Sequence, residues 1–232
     1  LYKKFCPGPL TFVVKLKKKS KISKFVTNNK KTLAIRFPKQ RLVRKLIKNL
    51  DYPLAAPSAN ISTKLSSVKA ADVKEEFGKK IKFVLDGGKC KIGIESTIIN
   101  LTRKPEILRL GGLENSKIKK VLKKQLIINI NPSKKNAPGQ SKLHYSPGIP
   151  LRMNALKSKK DEAYIALKKK NKKNKNIFYL SKNGNLSEAA KNLYSILRKV
   201  KKKGYKSIAI EKIINYGIGQ SINDRLNRAS KK

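Results

Sequence analysis

Short apolar runs of strand-like and helix-like spacing follow one another along this chain, and that alternation restricts it to an α/β fold. Leu10 to Leu16 is β-branched enough for a strand, and Lys31 to Phe37 reads as another, with Ala34 and Phe37 on the face opposite Ile35 and Arg36. A short helix is expected around Ser20 to Val26. Arg41 to Leu50 carries Leu42, Val43, Leu46, Ile47 and Leu50 at helical spacing, and Ala70 to Phe77 reads as a helix stopped by Gly78. Phe83 to Leu85 is expected as a buried strand entering the Asp86-Gly87-Gly88 turn. Ser96 to Leu101 and Ile107 to Leu110 are expected as a hairpin.

Asn129 to Pro150 is rich in Asn, Pro, Ser, Gly and Lys, the composition of a connection rather than of a packed element. The organisation expected is therefore a first domain over 1–128, a linker over 129–150 and a small α/β domain over 151–232. In the small domain, Ala163 to Lys170 is expected as a short Lys-rich helix and Ile177 to Leu180 as a strand. Ser187 to Lys203 follows as a helix with Ala190, Leu193, Tyr194, Leu197 and Val200 on one stripe, closed by Gly204, and Ser207 to Ile210 as the next strand. Strand, helix, strand implies a parallel βαβ layer. Lys168 to Lys175 reads as a solvated tip.

Charge narrows the partners less than its size implies. Against 13 acidic residues the chain carries 58 Lys and Arg, a formal charge of +45, which would attract tRNA and nucleotides non-specifically. Only nine of the 58 are Arg, however, and Lys is spread over almost every polar segment among many Ile and Asn. That is the mark of coding biased toward A and T; a surface selected to read phosphates or bases would favour the bidentate Arg fork. No apolar run approaches the roughly 18 residues that cross a bilayer, and no signal-peptide pattern opens the chain, so a soluble cytoplasmic protein is expected. Cys6 and Cys90 have neither CxxC spacing nor a His partner, which supports neither a zinc site nor a disulfide framework.

Chemistry is concentrated in three segments of small and hydroxyl-bearing residues: Pro53-Leu54-Ala55-Ala56-Pro57-Ser58-Ala59-Asn60, Gly93-Ile94-Glu95-Ser96-Thr97, and Pro138-Gly139-Gln140-Ser141-Lys142-Leu143-His144-Tyr145-Ser146-Pro147. Such segments let main-chain N–H groups and short hydroxyls approach a phosphate or carboxylate closely. An anion-handling site is the reading that follows.

These blocks, in this order and together with Pro7-Gly8-Pro9-Leu10-Thr11, Leu85-Asp86-Gly87-Gly88 and Gly217 to Leu226, resemble the threonylcarbamoyl-AMP synthases, the YrdC-like enzymes, in the long form with an extra C-terminal domain. The resemblance implies a YrdC-like twisted mixed sheet with helices, followed by a small Rossmann-like βαβ domain. Family members also carry, ahead of the Pro-Gly-Pro block, a Thr-Glu-Thr-Val-Tyr-Gly-like and a Lys-Arg-Pro-like segment that do not occur here, so the chain reads as an N-terminally truncated member. The implied reaction joins L-threonine and bicarbonate as a carbamate that attacks the α-phosphate of ATP, bound with Mg2+, giving threonylcarbamoyl-AMP and pyrophosphate. The product would pass to a downstream tRNA-modifying transferase complex.

No protein nucleophile is needed for that reaction, so positioning and charge neutralisation carry it. By resemblance, Arg36, Ala56 and Ser96 hold threonine, and Thr32, Ser58, Ser66, Arg109 and Tyr145 hold ATP. Tyr145 lies in a segment that in the family folds over the site as a lid, with His144 beside it and Pro138 and Gly139 setting the turn. The chain departs from the family at Thr63, where Gly is usual, at Ser67, where Pro is usual, and at Leu110, which also replaces Pro. On the residues alone, Ser58-Ala59-Asn60 could equally cap a following helix, and Asp224 and Arg225 read as a helix cap with an internal ion pair. Two other readings stand beside the enzyme: a non-catalytic basic RNA-binding module, and an inactive fragment.

Overall fold

In the computed structural model, which describes residues 1–133, 137–169 and 175–231, the expected alternation is present. The elements in chain order are α1 (Tyr2–Phe5), β1 (Leu10–Lys15), α2 (Lys24–Thr27), β2 (Thr32–Arg36), α3 (Arg41–Lys48), α4 (Ala70–Phe77), β3 (Thr97–Asn100), β4 (Glu106–Arg109), α5 (Asn115–Leu122), β5 (Ile127–Ile128), β6 (Leu151–Arg152), β7 (Glu162–Lys168), β8 (Ile177–Ser181), α6 (Leu186–Lys202), β9 (Ser207–Ile210) and α7 (Ile218–Ala229). They form two interleaved units. One comprises Leu1–Pro57 and Glu95–Gln140, the other Ser58–Ile94 and everything described from Ser141 onward. These bounds differ from a division at 128 and 150, because Leu65, Val68 and Ile94 pack with residues of the later chain.

The first unit is built on a five-stranded mixed sheet in the order β2-β1-β3-β4-β5. Alternation along β1 sends Leu10 and Phe12 into a core with Ile99, Ile107, Leu110, Leu113 and Ile118 of α5. The opposite face packs Val13, Ile98 and Leu108 with Ala137. β1 pairs with β2 antiparallel, setting Ala34 opposite Val13 and Arg36 opposite Thr11. Ala34 and Arg36 thus share a face, which corrects the expectation that they oppose each other: the period of two is exact within a paired strand. α3 forms as its spacing predicts, with Gln40 Oε1 accepting the Val43 N–H at 2.7 Å as its N-terminal cap.

The second unit holds a four-stranded, wholly parallel sheet in the order β6-β9-β7-β8. Parallel strands are buried on both faces, and β7 accordingly reads as a continuous buried run from Glu162 to Ala166. The helix expected over Ala163 to Lys170 is therefore a strand. Ala, Leu and Lys favour a helix by propensity, but a position between β9 and β8 overrides it. Residues 170–174 of the Lys-rich run lie outside the described residues.

α6 matches its expected bounds within one residue. Asn185 Oδ1 accepts the Glu188 N–H at 2.9 Å, and the buried stripe Ala190, Leu193, Tyr194, Leu197 and Val200 packs into the main core of this unit. Gly204, at φ +78°, follows it in the left-handed region that glycine tolerates best. The buried strand expected at Phe83 to Leu85 is not formed: these residues lie outside regular structure, Phe83 is 90% exposed and Leu85 is 59% exposed. A three-residue apolar run has too little length to commit itself, and no neighbouring strand takes it up.

Candidate active site

Ser96 precedes β3 by one residue, and β1 runs parallel to β3 with Leu10 beside Thr97, so Thr11 and Ser96 meet. Their hydroxyls lie 2.7 Å apart, and both residues are buried. Arg109, the last residue of β4, donates from Nε to the Ser96 carbonyl at 3.0 Å and from Nη2 to Ser96 Oγ at 3.1 Å. A guanidinium and two hydroxyls thus converge on one point: one O–H is spent between the hydroxyls, and the other hydroxyl keeps a proton that can be donated to an anion.

The backbone around Ser96 is fixed from the other side. Thr97 Oγ1 donates to the Leu113 carbonyl at 2.5 Å and accepts the Leu113 N–H at 3.2 Å, while the Gly112 N–H donates to the Glu95 carbonyl at 2.8 Å. The two segments press together at Gly111, where a side chain has no room.

Strand register carries the site across the sheet. One row runs from Arg36 in β2 to Thr11 in β1, Ile98 in β3 and Arg109 in β4. At the usual spacing of neighbouring strands the two arginine backbones stand about 14 Å apart, a span suited to holding two ends of an extended anionic ligand. Thr32, at the start of β2 opposite Lys15, lies on the Arg36 face of the strand. Arg36 is exposed, Arg109 half-buried, and Ala56 sits in an exposed loop of the same unit. Thr11 is a further residue of the site, beyond those the resemblance implies. Its signal was the Pro-Gly-Pro-Leu-Thr spacing, which brings a hydroxyl onto β1 beside the Ser96 strand.

Ser58, Ser66 and Tyr145 belong to the second unit. Ser58 is exposed and Ser66 buried. The loop between them is tied by its own polar atoms: Asn60 Nδ2 donates to the carbonyls of Ile61 at 2.9 Å and Lys64 at 3.3 Å, and Ser67 Oγ donates to the Ala59 carbonyl at 2.8 Å. The Asn60 side chain closes a loop and does not cap a helix, since the next helix, α4, begins ten residues later with Lys69 at its N-cap. Thr63 adopts φ +68°, in the left-handed region that glycine tolerates best. Its carbonyl accepts the Ser146 N–H at 2.8 Å, and Lys64 bridges to Ser146, which sets the Tyr145 segment against this loop.

Tyr145 is 1% exposed, with its ring stacked on Tyr194 at 5.8 Å and the Arg225 guanidinium 5.0 Å from the ring centre. In this structure it is part of the core of the second unit and presents no ring face to solvent. Asp224 and Arg225 lie inside α7 rather than at its cap, because the Gly217 N-cap places them in its second turn. The ion pair is present at 2.8 Å, and Asp224 also accepts from Arg228 Nε at 3.0 Å. Arg228 Nη1 then donates to the Ser141 carbonyl at 2.9 Å, which fastens the start of the Tyr145 segment to the helix.

Among the described residues no group of three or more His, Cys, Asp or Glu side chains is placed to hold a metal ion, and no helix is long and apolar enough to cross a membrane. Cys6 is half-buried, and burial pushes its thiol above its ordinary pKa, whereas Cys90 is exposed.

Residues 1–111 match the Sua5_yciO_yrdC family, described as telomere recombination, and residues 113–231 match the threonylcarbamoyl-AMP synthase C-terminal domain. Fold and site together define a YrdC-like α/β transferase of the nucleotidyltransferase class. A threonylcarbamoyl-AMP synthase of Pyrococcus abyssi is 35% identical over 99% of this chain and 72% of its own length, and one of Schizosaccharomyces pombe is 30% identical over 99% and 65%. The crystal structure of P. abyssi Sua5 complexed with L-threonine superposes with a TM-score of 0.86 at 32% identity, covering 99% of this chain and 72% of that one. A P. abyssi Sua5 variant in which an adjacent histidine and tyrosine are both alanine gives 0.82 at 30% identity. The chain belongs to the threonylcarbamoyl-AMP synthase family.

Proposed function

We propose that this chain condenses L-threonine, bicarbonate and MgATP to threonylcarbamoyl-AMP and pyrophosphate, in the cytoplasm, for a downstream complex that transfers the threonylcarbamoyl group to tRNA. The observation that carries this reading is the row of Arg36, Thr11 and Arg109 with Ser96 bonded to both of the latter. Arg36 grips the threonine carboxylate through its planar fork, while Ser96 and Thr11 orient the amino-acid end. Threonine nitrogen and bicarbonate form a carbamate with loss of water. A carbamate oxygen then forms a bond to the α-phosphorus as the bond to the bridging oxygen of pyrophosphate breaks. Arg109 neutralises charge on the phosphates, and Mg2+ arrives and leaves with them. Ala56 adds a main-chain contact to threonine, and Thr32, Ser58 and Ser66 contribute hydroxyl contacts to the nucleotide. Tyr145 joins them only after leaving its place beneath Arg225, which makes its segment the moving part of the cycle.

Pyrophosphate release that requires both threonine and bicarbonate is the expected result. Release with ATP alone, or none under any combination, would remove this reading. The charge of +45 supports weak, salt-sensitive tRNA binding alongside catalysis. Tight tRNA binding by a chain that does not bind ATP would favour the RNA-binding module instead.

A further inference from the structure

Arginine is rare in this lysine-rich chain, and where one is buried or half-buried its fork is engaged. Arg109, Arg152, Arg225 and Arg228 all make directed side-chain bonds. Arg198 is another, and it lies outside the site described above. It projects from α6, with its side chain 16% exposed, and donates from Nη2 to the Leu65 carbonyl at 2.7 Å and to Glu76 Oε2 at 2.8 Å. Ser67 Oγ lies 3.5 Å from the same nitrogen.

Glu76, on α4 and 8% exposed, completes the arrangement. Its other oxygen, Oε1, accepts the Ile61 N–H at 2.8 Å. One largely buried ion pair therefore holds the 58–67 loop at two points: Glu76 grips it at Ile61, and Arg198 grips it at Leu65, next to Ser66. A loop carrying two nucleotide-binding hydroxyls binds ATP in proportion to the fraction of time it is correctly folded, so a device that holds it raises affinity without touching the ligand.

We propose that Arg198 and Glu76 are positioning residues for ATP: a clamp through which the matched C-terminal domain sets the geometry of the Ser58–Ser66 loop. The nucleotide role of that loop rests on the proposed function; the clamp itself does not.

The test compares the wild-type chain with Arg198→Ala and Arg198→Lys by hydrogen exchange read by mass spectrometry, together with the ATP and threonine dependence of pyrophosphate release. In Arg198→Ala, amides over residues 59–67 are expected to exchange faster while β7 and β9 keep their protection. KM for ATP is expected to rise on the order of tenfold, with KM for threonine within about twofold of wild type. Arg198→Lys keeps the charge but loses the fork, so it should fall between the two; it decides the matter if the alanine variant fails to fold. Unchanged exchange over 59–67 in the folded variants overturns the clamp. Faster exchange with an unchanged KM for ATP overturns the positioning role. A wild-type chain that releases no pyrophosphate removes the proposed function, and the exchange measurement still decides the clamp.

Discussion

Gly111 stands so close to Ser96 that a Cβ placed on it would fall 2.3 Å from the Ser96 carbonyl carbon. No side chain moves aside to accept such an atom, because the obstacle is backbone. Gly111→Ala is expected to destabilise the protein by about 1–3 kcal/mol through overpacking and to push Ser96 out of reach of Arg109. Thermal unfolding reads the first effect. Calorimetric titration with threonine reads the second as weakened affinity, and unaltered binding would show that Ser96 is not held by this contact.

The Thr11 and Ser96 hydroxyls form a buried pair whose members depend on each other. Removing Ser96 strands the Thr11 hydroxyl, at a cost of about 1–3 kcal/mol, whereas removing Thr11 costs less because Ser96 Oγ keeps its bond from Arg109. In a cycle of Thr11→Ala, Ser96→Ala and the double variant, the second substitution should cost less than the first, with a coupling of about 0.5–3 kcal/mol in denaturant unfolding. Strict additivity would mean that the pair does not act as a unit.

Acid should loosen the second unit at β7. Glu162, buried, accepts from Arg152 Nε at 2.9 Å, Arg152 Nη2 at 2.7 Å and the Lys159 N–H at 2.8 Å. The Arg152 guanidinium holds the Glu162 carboxyl below its ordinary pKa. A depressed folded value stabilises the protein at pH above the unfolded value, near 4.3, and that contribution disappears as pH falls from there through the folded value. Arg152, whose own pKa is raised by the same bond, stays charged throughout. Urea unfolding below about pH 5 should show a steeper loss of stability in wild type than in Glu162→Gln; parallel curves would contradict the assignment.

Thr63→Gly should stabilise, against the usual direction for a glycine substitution. At φ +68° a β-branched residue bears a left-handed penalty of about 1–2 kcal/mol, larger than the roughly 0.5–1 kcal/mol of added chain entropy that glycine brings. The expected gain is a rise in melting temperature with the Ser146 N–H bond to residue 63 retained. A fall would mean that the threonine side chain contributes contacts exceeding its strain.

Much of the fold was legible because its signals are local. Ser207–Ile210 and Ala70–Phe77 form at the bounds their residues predict. α6 forms within one residue of its expected bounds because cap, stripe and basic last turn agree. β7 was not legible: its residues prefer a helix, and only neighbours 13 and 45 residues away make it a strand. Phe83 to Leu85 failed for the opposite reason, an apolar triplet with no neighbour to bury it. In the site, Ser96 and Arg109 were readable as hydroxyl and fork, but their bond to each other, and Thr11 between β2 and β3, followed only from strand order. Arg198 and Glu76 were invisible in sequence, since the loop they hold lies some 130 and 15 residues from them along the chain.

The interleaving of the two units also sets a timetable for synthesis. Residues Ser58–Ile94 leave the ribosome well before α6 and α7, against which Leu65, Val68 and Ile94 are buried. At ordinary elongation rates the wait for α7 is on the order of ten seconds. Through that interval the nascent segment shows three apolar side chains and a Glu76 that lacks its Arg198 partner, a stretch that a chaperone would hold and that a stalled ribosome would leave open to proteases.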